Sequence, residues 1–378
     1  MAKPLHLVII SERTRSHFHL PLARFRQLRI THLSRHVFDD MSPSDQQGVV
    51  RFGSVFDLWR KLKALQPDLI QGLEPYYGFS RFKIPFKVVP LLCVIRWYVQ
   101  LTRTPFFFHV LENLPPQQKY GRVAGFIMQR FGRWYASAAA FILYANTAAQ
   151  QNVAAWQLHI PAERSLWGLW GADERVFRYQ PNQKSPEPLF VFAGTLSYQK
   201  GVLDVLEAFR QLAAGQSTVR LQIIGTGPLQ SMVEDRIREY GLNSRVALLG
   251  SLPHTKMAAH LVQAWALLAP SRTVGYVAEQ VGLLNIESLL CGTPVIVSDA
   301  GSAHEFVAAS GGAIVIREGD MSALVAAMQL LLQDSSRRTA LSRAAAAYGM
   351  SQYAYAQTLP IIERQVLRLA SAVSVSQE

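Results

Sequence analysis

The sequence has little cysteine and no long apolar run, and each absence argues against a class of protein. Only Cys93 and Cys291 occur among the 378 residues, which argues against a disulfide-stabilised secreted scaffold and favours a reducing cytoplasm. The start MAKPLHLVIISER has no apolar segment after a basic one, so no signal peptide is expected. Apolar runs such as VVPLLCVI (88–95) end far short of the roughly 20 residues that span a bilayer, and no transmembrane helix is predicted.

Several motifs that would define a cofactor or a metal site are also missing. There is no Asp-x-Asp pair and no His/Cys cluster with ligand spacing, so no metal is expected. The segment GTGPL (225–229) lacks the third glycine of a dinucleotide fingerprint, and Lys200 in SYQKGV is not followed by the Ser or Thr of a Walker loop. No nucleic-acid motif accompanies the basic charge. We therefore expect no cofactor and no nucleic-acid partner.

Short runs rich in β-branched and aromatic residues alternate with helical patterns in both halves of the chain. The predicted strands are 5–10, 29–34, 68–73, 106–110, 141–146 and 165–170, then 189–194, 220–225, 246–251, 266–271, 294–299 and 312–316. Near-continuous apolar strands separated by helices indicate parallel sheets covered on both faces. The Pro-rich polar segment RYQPNQKSPEP (178–188) between the two sets is typical of a linker. The sequence predicts an α/β protein with two Rossmann-like domains, 1–178 and 179–351, and a ligand cleft at the carboxyl ends of the strands.

The excess positive charge lies in the first half of the chain. Residues 1–180 contain 23 Lys and Arg against 11 Asp and Glu, whereas residues 181–378 contain 15 of each. The segments 82–103 and 122–135 mix aromatic, aliphatic and basic residues along amphipathic stretches. Such helices can lie in an anionic membrane surface, or they can be core helices whose Arg and Lys side chains reach the solvent. From the sequence both interpretations stay open.

Two glutamates flank a predicted helix start in the second half. The strand ALLAPS (266–271) leads through a loop that contains Glu279 to the helix LLNIESLLC (283–291), which contains Glu287 and ends at Gly292. The free N–H groups of Leu283 and Leu284 form a natural anion site, and Gly282 lets a phosphate approach the backbone. A carboxylate on each side suits a nucleotide diphosphate sugar, although the spacing alone is more typical of a solvated helix face and a loop charge.

The run from Glu279 to Asp299 resembles the signature of the retaining glycosyltransferases of family 4. Both glutamates and Gly282 stand at the family positions, and CGTPVI (291–296) matches the turn and strand that follow. Further matches in the family's order are FAGTLSYQKGVLDVLEAF (192–209), LQIIGTGPL (221–229), RVALLGSLPH (245–254) and WGADERVF (170–177). The resemblance is clear over residues 165–335. It implies the GT-B fold, two facing Rossmann-like domains with an interdomain cleft, which works without a metal.

The resemblance also implies which residues bind the donor. Lys200 matches the lysine that the family uses on the donor diphosphate, where a cation stabilises the charge that grows on the leaving phosphate. Many members have an arginine where this chain has Thr195, so Lys200 acts with helix dipoles alone or with another arginine such as Arg272. The expected donor-binding residues are Gly194, Thr195, Lys200, Gly225, Gly250, Leu252, Gly282, Leu283, Leu284 and Glu287.

The first half is expected to bind the acceptor. In many relatives the loop after the first strand is rich in glycine, but SERTRSHFHLP (11–21) contains none. Arg13, Arg15 and His17 are therefore candidates for contacting a phosphate-bearing substrate.

Two further candidates follow a later strand of the first half. His109 stands at a strand end where family members often have a histidine near the donor sugar, and we group it with Glu279 and Lys200 as a catalytic candidate. Glu112 is expected to orient His109 or to bind acceptor hydroxyls. A core histidine and a solvated carboxylate are the alternatives.

The last helical segment, SQYAYAQTLPIIERQVLRLA (351–370), follows the final α/β unit. In this fold the C-terminal helix commonly crosses back, so we expect residues 352–378 to join the first domain.

The resemblance implies a hexosyltransferase that retains the anomeric configuration, in which Glu279 positions the sugar and the departing phosphate takes the acceptor proton. UDP-sugars are the first expectation for the donor. The first hypothesis for the acceptor is a lipid-linked or cell-envelope glycan, handled in the cytoplasm at the inner face of the membrane. A soluble acceptor and a non-catalytic nucleotide-sugar binding protein are the alternatives.

Overall fold

The computed structural model describes residues 4–14, 19–37, 46–75, 88–112, 114–155, 164–275 and 277–375. The chain divides into two compact units, residues 1–170 with 358–378 and residues 171–357. The segment 178–188 lies within the second unit, where the Lys184 ammonium donates to the Ala264 carbonyl at 2.7 Å.

The first unit is built on a seven-stranded sheet in the order β3-β2-β1-β4-β5-β6-β7, in which neighbouring strands are parallel. Its strands are β1 (Leu5–Thr14), β2 (Leu28–Val37), β3 (Val49–Arg51), β4 (Leu69–Gly72), β5 (Phe106–Val110), β6 (Phe141–Tyr144) and β7 (Ser165–Trp167). Its helices are α1 (Val55–Leu65), α2 (Val89–Thr102), α3 (Pro116–Tyr120), α4 (Arg122–Ala136) and α5 (Thr147–Ala155). A 3-10 helix, Leu20–Arg24, lies between β1 and β2.

Side chains on one face of this sheet form the core of the first unit against the helices. Phe106 and Phe108 alternate with residues of the opposite face along β5, and both pack against Tyr135 of α4. Burying one such aromatic side chain contributes about 1.5–3 kcal/mol, so β5 is fixed firmly beneath the helices. The carboxyl end of β5, where His109 lies, is fixed with it.

The second unit contains a six-stranded parallel sheet in the order β10-β9-β8-β11-β12-β13. Its strands are β8 (Leu189–Ala193), β9 (Arg220–Ile224), β10 (Val246–Gly250), β11 (Ala266–Ala269), β12 (Val295–Ser298) and β13 (Ala313–Ile316). Its helices are α6 (Val202–Ala214), α7 (Gln230–Glu239), α8 (His254–Gln263), α9 (Leu283–Leu290), α10 (Glu305–Ala308), α11 (Met321–Gln333) and α12 (Ser335–Tyr353). A final helix, α13 (Tyr355–Val375), carries the chain from this unit into the first.

Apolar sequence patterns predicted the strands of both sheets well, but they did not predict the strand residues that are polar. All twelve predicted strands are present, and the prediction of two parallel α/β sheets is confirmed. The strand β3 was missed because its three residues are exposed or half-buried and form no apolar run. The first loop was predicted to begin at Ser11, but β1 continues to Thr14, since its polar end pairs with β2 in register up to Val37.

Candidate functional site

Three glycines predicted to bind the donor lie side by side where β8, β9 and β10 end. The N–H of Gly194 donates to the Ile224 carbonyl at 2.9 Å, and the N–H of Gly225 donates to the Gly250 carbonyl at 2.7 Å. A Cβ atom on Gly225 would lie 1.9 Å from the carbonyl oxygen of Gly194. No side chain larger than hydrogen fits at Gly225, so the backbone here is open to close approach by a ligand. We call the backbone around Gly194, Gly225 and Gly250 the glycine edge.

Lys200 is placed by a tight turn between β8 and α6. The residues Tyr198–Lys200 form a 3-10 turn, and the Ser197 hydroxyl accepts from the N–H of Lys200. Gly201 follows with φ 70°, and a Cβ there would lie 2.1 Å from the Pro270 carbonyl oxygen. The turn is therefore pressed against the end of β11. The Lys200 stem passes over Gly194, about 3.8 Å from where a Cβ of that glycine would lie.

The Lys200 ammonium donates to the Glu279 carboxylate, although the two residues are 79 positions apart. The Glu279 backbone is held by the loop after β12, because its carbonyl accepts from the N–H of Ser302 at 2.8 Å. Gly301, with φ 66°, allows this approach, since a Cβ there would lie 2.2 Å from the Glu279 carbonyl oxygen. Both side chains are partly accessible, 30% for Lys200 and 18% for Glu279. The structure thus brings together two of the three predicted catalytic residues.

The amino end of α9 borders a small cavity beside this pair. The cavity has a volume of about 40 Å³, and Lys200, Glu279, Gly282 and Leu284 line it. Gly282 caps the helix with φ 61° and no side-chain hydrogen bond, and Leu283 is the first helical residue. Asn285 also lines the cavity and is buried, and the sequence analysis did not predict it. The signal in the sequence is a polar residue at a position within an apolar helix pattern.

Glu287 lies in the second turn of α9 and is buried. Its Oε1 atom lies 2.6 Å from Nε2 of His254, the first residue of α8. The predicted contact Leu252 is half-buried in the loop between β10 and α8. His254 ends the matching segment RVALLGSLPH (245–254), but that match predicts no role for it. Its position beside Glu287 follows only from the packing of α8 on α9.

Thr195 is exposed in the turn after β8. Arg272 forms a two-point ion pair with Asp204 of α6, through Nε at 2.5 Å and Nη2 at 2.8 Å. The guanidinium of Arg272, which was a candidate to replace the arginine missing at Thr195, is therefore already paired with Asp204. Among the described residues, the cation that forms an ion pair with Glu279 is Lys200.

In the first unit, His109 lies at the carboxyl half of β5 and is buried. Burial lowers the pKa of His109 to about 4, and a hydrogen bond with the Gly168 backbone opposes this shift. Among the described residues no partner reaches its Nε2 atom. His109 is thus a neutral imidazole with one ring nitrogen unsatisfied.

Glu112 belongs to a buried polar cluster at the same edge of the first sheet. Its carboxylate accepts from the Lys119 ammonium and from the N–H of Leu114. Glu74, from the loop after β4, accepts from the N–H of Leu111 at 3.0 Å and from that of Glu112 at 2.9 Å. Burial, and then repulsion by Glu112, raise the pKa of Glu74 to about 8. No motif marks Glu74 in the sequence, because the N–H groups that bind its carboxylate come from the loop after β5.

Arg13 is exposed near the end of β1, in register with His36 of β2, and not in a loop as predicted. Arg15 and His17 lie outside the described residues. Beside Arg13, the Ser11 and Thr14 hydroxyls lie 2.9 Å and 3.1 Å from Nε2 of buried His32. This network explains why a polar segment continues as a strand.

Within the part of the chain that the structure describes, no cluster of acidic, His and Cys side chains could hold a metal ion. In the same residues, no helix has the length and apolar character needed to cross a bilayer.

Comparison with known proteins identifies the second unit. The family model "Glycosyl transferases group 1" matches residues 173–348, which contain the glycine edge, Lys200, Glu279 and Glu287. This unit belongs to the glycosyl transferases group 1 family. The resemblance found in its motifs is confirmed.

The chain spans less than half the length of the curated relatives that it matches. Glycogen synthase of Mycobacterium tuberculosis is 30% identical over 155 residues, 41% of this chain and 36% of the relative. A GDP-mannose-dependent phosphatidylinositol monomannoside mannosyltransferase of Corynebacterium glutamicum is 28% identical over 170 residues, 44% of each chain.

Solved structures confirm the GT-B fold over nearly the whole chain. Anabaena HepE in complex with UDP has a TM-score of 0.75 at 17% identity and covers 98% of this chain and 100% of that one. WaaG, described as a glycosyltransferase of lipopolysaccharide biosynthesis, has a TM-score of 0.63 at 16% identity and covers 94% of this chain and 98% of its own. At these identities the likeness establishes the fold alone.

Proposed function

We propose that the protein is a retaining glycosyltransferase that moves a hexosyl group from a nucleotide diphosphate sugar to a hydroxyl acceptor. The observation that carries the proposal is the Lys200–Glu279 pair, which lies between the glycine edge and the amino end of α9. A cation, a helix amino end and a carboxylate at one edge of a parallel sheet suit a diphosphate joined to a sugar.

In this proposal the site supplies positioning and electrostatics. The Lys200 ammonium and the N–H groups of Leu283 and Leu284 bind the diphosphate, Glu279 binds the sugar hydroxyls and Glu287 binds the ribose. The bond between the anomeric carbon and the phosphate oxygen breaks, and its electron pair stays on the phosphate. The acceptor oxygen forms the new bond on the same face, and its proton passes to the departing phosphate. Growing negative charge on the phosphate is what Lys200 stabilises.

The proposed donor is a UDP-sugar. The Anabaena relative with the same fold was solved with UDP, which supports uridine, whereas the Corynebacterium relative is named for GDP-mannose. GDP- and ADP-sugars are therefore the competing donors.

A thermal-shift panel of UDP-, GDP- and ADP-sugars tests the donor. A ligand that binds only the folded protein stabilises it by an amount that grows with the logarithm of one plus the ratio of free ligand concentration to Kd, and so raises the melting temperature. We expect one nucleotide class to raise it, and we expect Lys200→Ala to reduce that shift. The control is Lys256→Ala, which replaces an exposed lysine of α8 and should leave the shift unchanged.

If no nucleotide sugar shifts the wild-type melting temperature, the proposal is wrong. If one binds but no nucleoside diphosphate is released with any acceptor, the non-catalytic alternative stands.

For the acceptor we propose a lipid-linked glycan, and the supporting observation is an exposed surface on α2 and α4. Six large apolar side chains there are between 37% and 78% exposed: Trp97, Leu101, Val123, Phe126, Ile127 and Trp134. Arg96 donates to the Trp134 carbonyl at 3.3 Å, so the two helices lie together. Large apolar side chains exposed together on two adjacent helices support an interaction site there.

The charges on this α2/α4 face indicate which partner it fits. Neither helix contains an acidic residue, and Arg103, Arg122 and Arg130 are exposed on or beside them. Aromatic residues mixed with arginines are typical of helices that lie in an anionic membrane surface, where each basic residue contributes about 1 kcal/mol. We therefore propose that the enzyme works at an anionic bilayer, where a lipid-linked acceptor is available.

Vesicle sedimentation tests this surface. We expect binding to vesicles that contain phosphatidylglycerol, little binding to pure phosphatidylcholine vesicles, and weaker binding at high salt. Phe126→Ser with Ile127→Ser should abolish binding, whereas the control Leu330→Ser, an exposed leucine of α11, should not. Equal binding by both variants, or none by the wild type, would favour the soluble acceptor.

A further inference from the structure

The carboxylate of Glu287 is held on one side by an imidazole that the family motif does not explain. Only 5% of the Glu287 side chain and 25% of the His254 side chain are exposed. The contact joins Nε2 of His254 to Oε1 of Glu287 at 2.6 Å, a short hydrogen bond. Burying a carboxylate is costly unless a donor compensates it, so this contact offsets part of the cost of placing Glu287 inside α9.

The His254 ring is itself held in place. Its centroid lies 5.2 Å from that of Phe177, a fully buried aromatic residue, at an interplanar angle of 56°. Its backbone starts α8 directly after Pro253. Because both the ring and the helix start are constrained, the hydrogen bond fixes the rotation of the Glu287 carboxylate about its last single bond.

The contact also joins two parts of the donor site. His254 closes the loop that follows β10, which carries Gly250 and Leu252, whereas Glu287 stands one turn into α9, behind Leu283 and Leu284. A hydrogen bond between the two elements couples the position of the loop after β10 to the position of α9. A carboxylate held at one oxygen presents its other oxygen in a single direction, which suits a cis pair of hydroxyls.

We propose that His254 is a positioning residue, whose Nε2–H holds Glu287 so that the free carboxylate oxygen binds the ribose hydroxyls of the donor nucleotide. The inference rests on the proposed function, since it requires a ribonucleotide at this edge of the second sheet. His254 itself does not touch the reacting atoms.

The test compares nucleotides that have the ribose 2′ and 3′ hydroxyls with analogues that lack them. Titration calorimetry would measure the binding of UDP, GDP and ADP and of their 2′,3′-dideoxy analogues to the wild type and to His254→Ala. For the nucleotide that the wild type binds, we expect His254→Ala to weaken the binding of the ribonucleotide about tenfold and that of the dideoxy analogue less than twofold. Donor KM should rise while kcat at saturating donor changes little.

Two further variants separate positioning from folding. His254→Gln places an amide N–H near the position of Nε2 and should recover most of the affinity. His260→Ala removes a histidine of the same helix that contacts Gln222 at 2.8 Å, and it should leave both affinities unchanged. Equal loss for the ribonucleotide and its dideoxy analogue, or no loss for either, would overturn the inference. Wild-type protein that binds none of these nucleotides would instead refute the proposed function.

Discussion

At the scale of single residues, the site depends on side chains whose partners come from distant segments. Lys200 follows β8 and Glu279 follows β11, and these strands are neighbours in the sheet. The carboxyl ends of parallel neighbours meet at one edge, so a cation from one loop reaches a carboxylate from the other. The family motif implied both residues separately, and the strand order explains why they form a pair.

The first prediction separates the roles of the two glutamates. Glu279→Ala should reduce transfer about 10²–10³-fold and leave the affinity for the nucleoside diphosphate measurable, because this carboxylate is proposed to bind the sugar. Glu287→Ala should weaken nucleotide binding itself, because its carboxylate is proposed to bind the ribose. Product formation and calorimetry on the same preparations check both. Wild-type turnover in both variants with every accepted donor would contradict the assignment.

A second prediction concerns the buried carboxyl of Glu74. Its pKa in the folded protein is raised to about 8 from an ordinary value of 4.5, so folding takes up a proton between these pH values. The stability contributed by this group is complete below pH 4.5 and is lost as the pH rises through 8. Glu74→Gln stays neutral, and the melting temperature of the wild type should therefore fall relative to that of the variant between pH 6 and 9.

The control for this titration is Asp57→Asn. The hydrogen bond from Lys61, followed by that from the Gly53 backbone, lowers the pKa of Asp57 to about 2, so Asp57 stays charged throughout the range. The difference between wild type and Asp57→Asn should be independent of pH. If the Glu74→Gln difference is equally flat from pH 6 to 9, Glu74 does not titrate there.

At the scale of elements, the turns after β8 and β9 set the shape of the glycine edge. Gly225 has φ 132°, and its close approach to Gly194 leaves no space for a Cβ. The amino end of α9 depends in the same way on Gly282, where a Cβ would lie 2.7 Å from Nδ2 of Asn285. Both glycines allow backbone to come close to neighbouring atoms, which is also what a bound phosphate requires.

The third prediction compares two glycines of the second unit. Gly225→Ala should lower the free energy of unfolding by at least about 1–3 kcal/mol, since backbone must move and the conformation is unfavourable for alanine. Gly215→Ala at the end of α6 has φ −104° and open space around its Cβ, and it should change stability by less than about 0.5 kcal/mol. Urea denaturation of both variants checks this, and equal midpoints would show that the close approach does not matter.

At the scale of the whole molecule, the first unit is assembled from both ends of the chain. Residues 358–378 belong to it, although they follow the entire second unit. The Glu363 carboxylate accepts from the N–H groups of Arg26 and Gln27 at 2.8 Å and 2.7 Å. Ile362 packs near Gly168, where a Cβ would lie 3.7 Å from its Cγ1 atom. The end of the chain is therefore structural material for the first unit.

The fourth prediction uses two neighbouring isoleucines of α13. Ile362 is 3% exposed and Ile361 is 51% exposed. Ile362→Ala should destabilise the first unit by about 2–5 kcal/mol, because it leaves a cavity in a packed layer. Ile361→Ala should have an effect below about 0.5 kcal/mol. Chemical denaturation followed by hydrogen exchange in β1 and β5 checks this, and equal effects would show that α13 does not pack on the first unit through Ile362.

The sequence by itself determined the class of the fold and the donor motif. Buried parallel strands require near-continuous apolar runs, and the signature around Glu279 and Glu287 is local, so both can be recognised without coordinates. The prediction was weakest where strands are polar, as in β3 and at the end of β1, because hydrogen bonds to a neighbouring strand replace the apolar pattern there.

Only the tertiary structure decided which charged and polar side chains meet. It paired Lys200 with Glu279, Arg272 with Asp204, His254 with Glu287, and Glu112 with Lys119. Three of these four contacts join residues at least 33 positions apart, which strand order and helix packing bring together. No local sequence pattern predicts which residues pair. An ion pair depends on distance in space, whereas a motif depends on distance along the chain, and folding makes the first largely independent of the second.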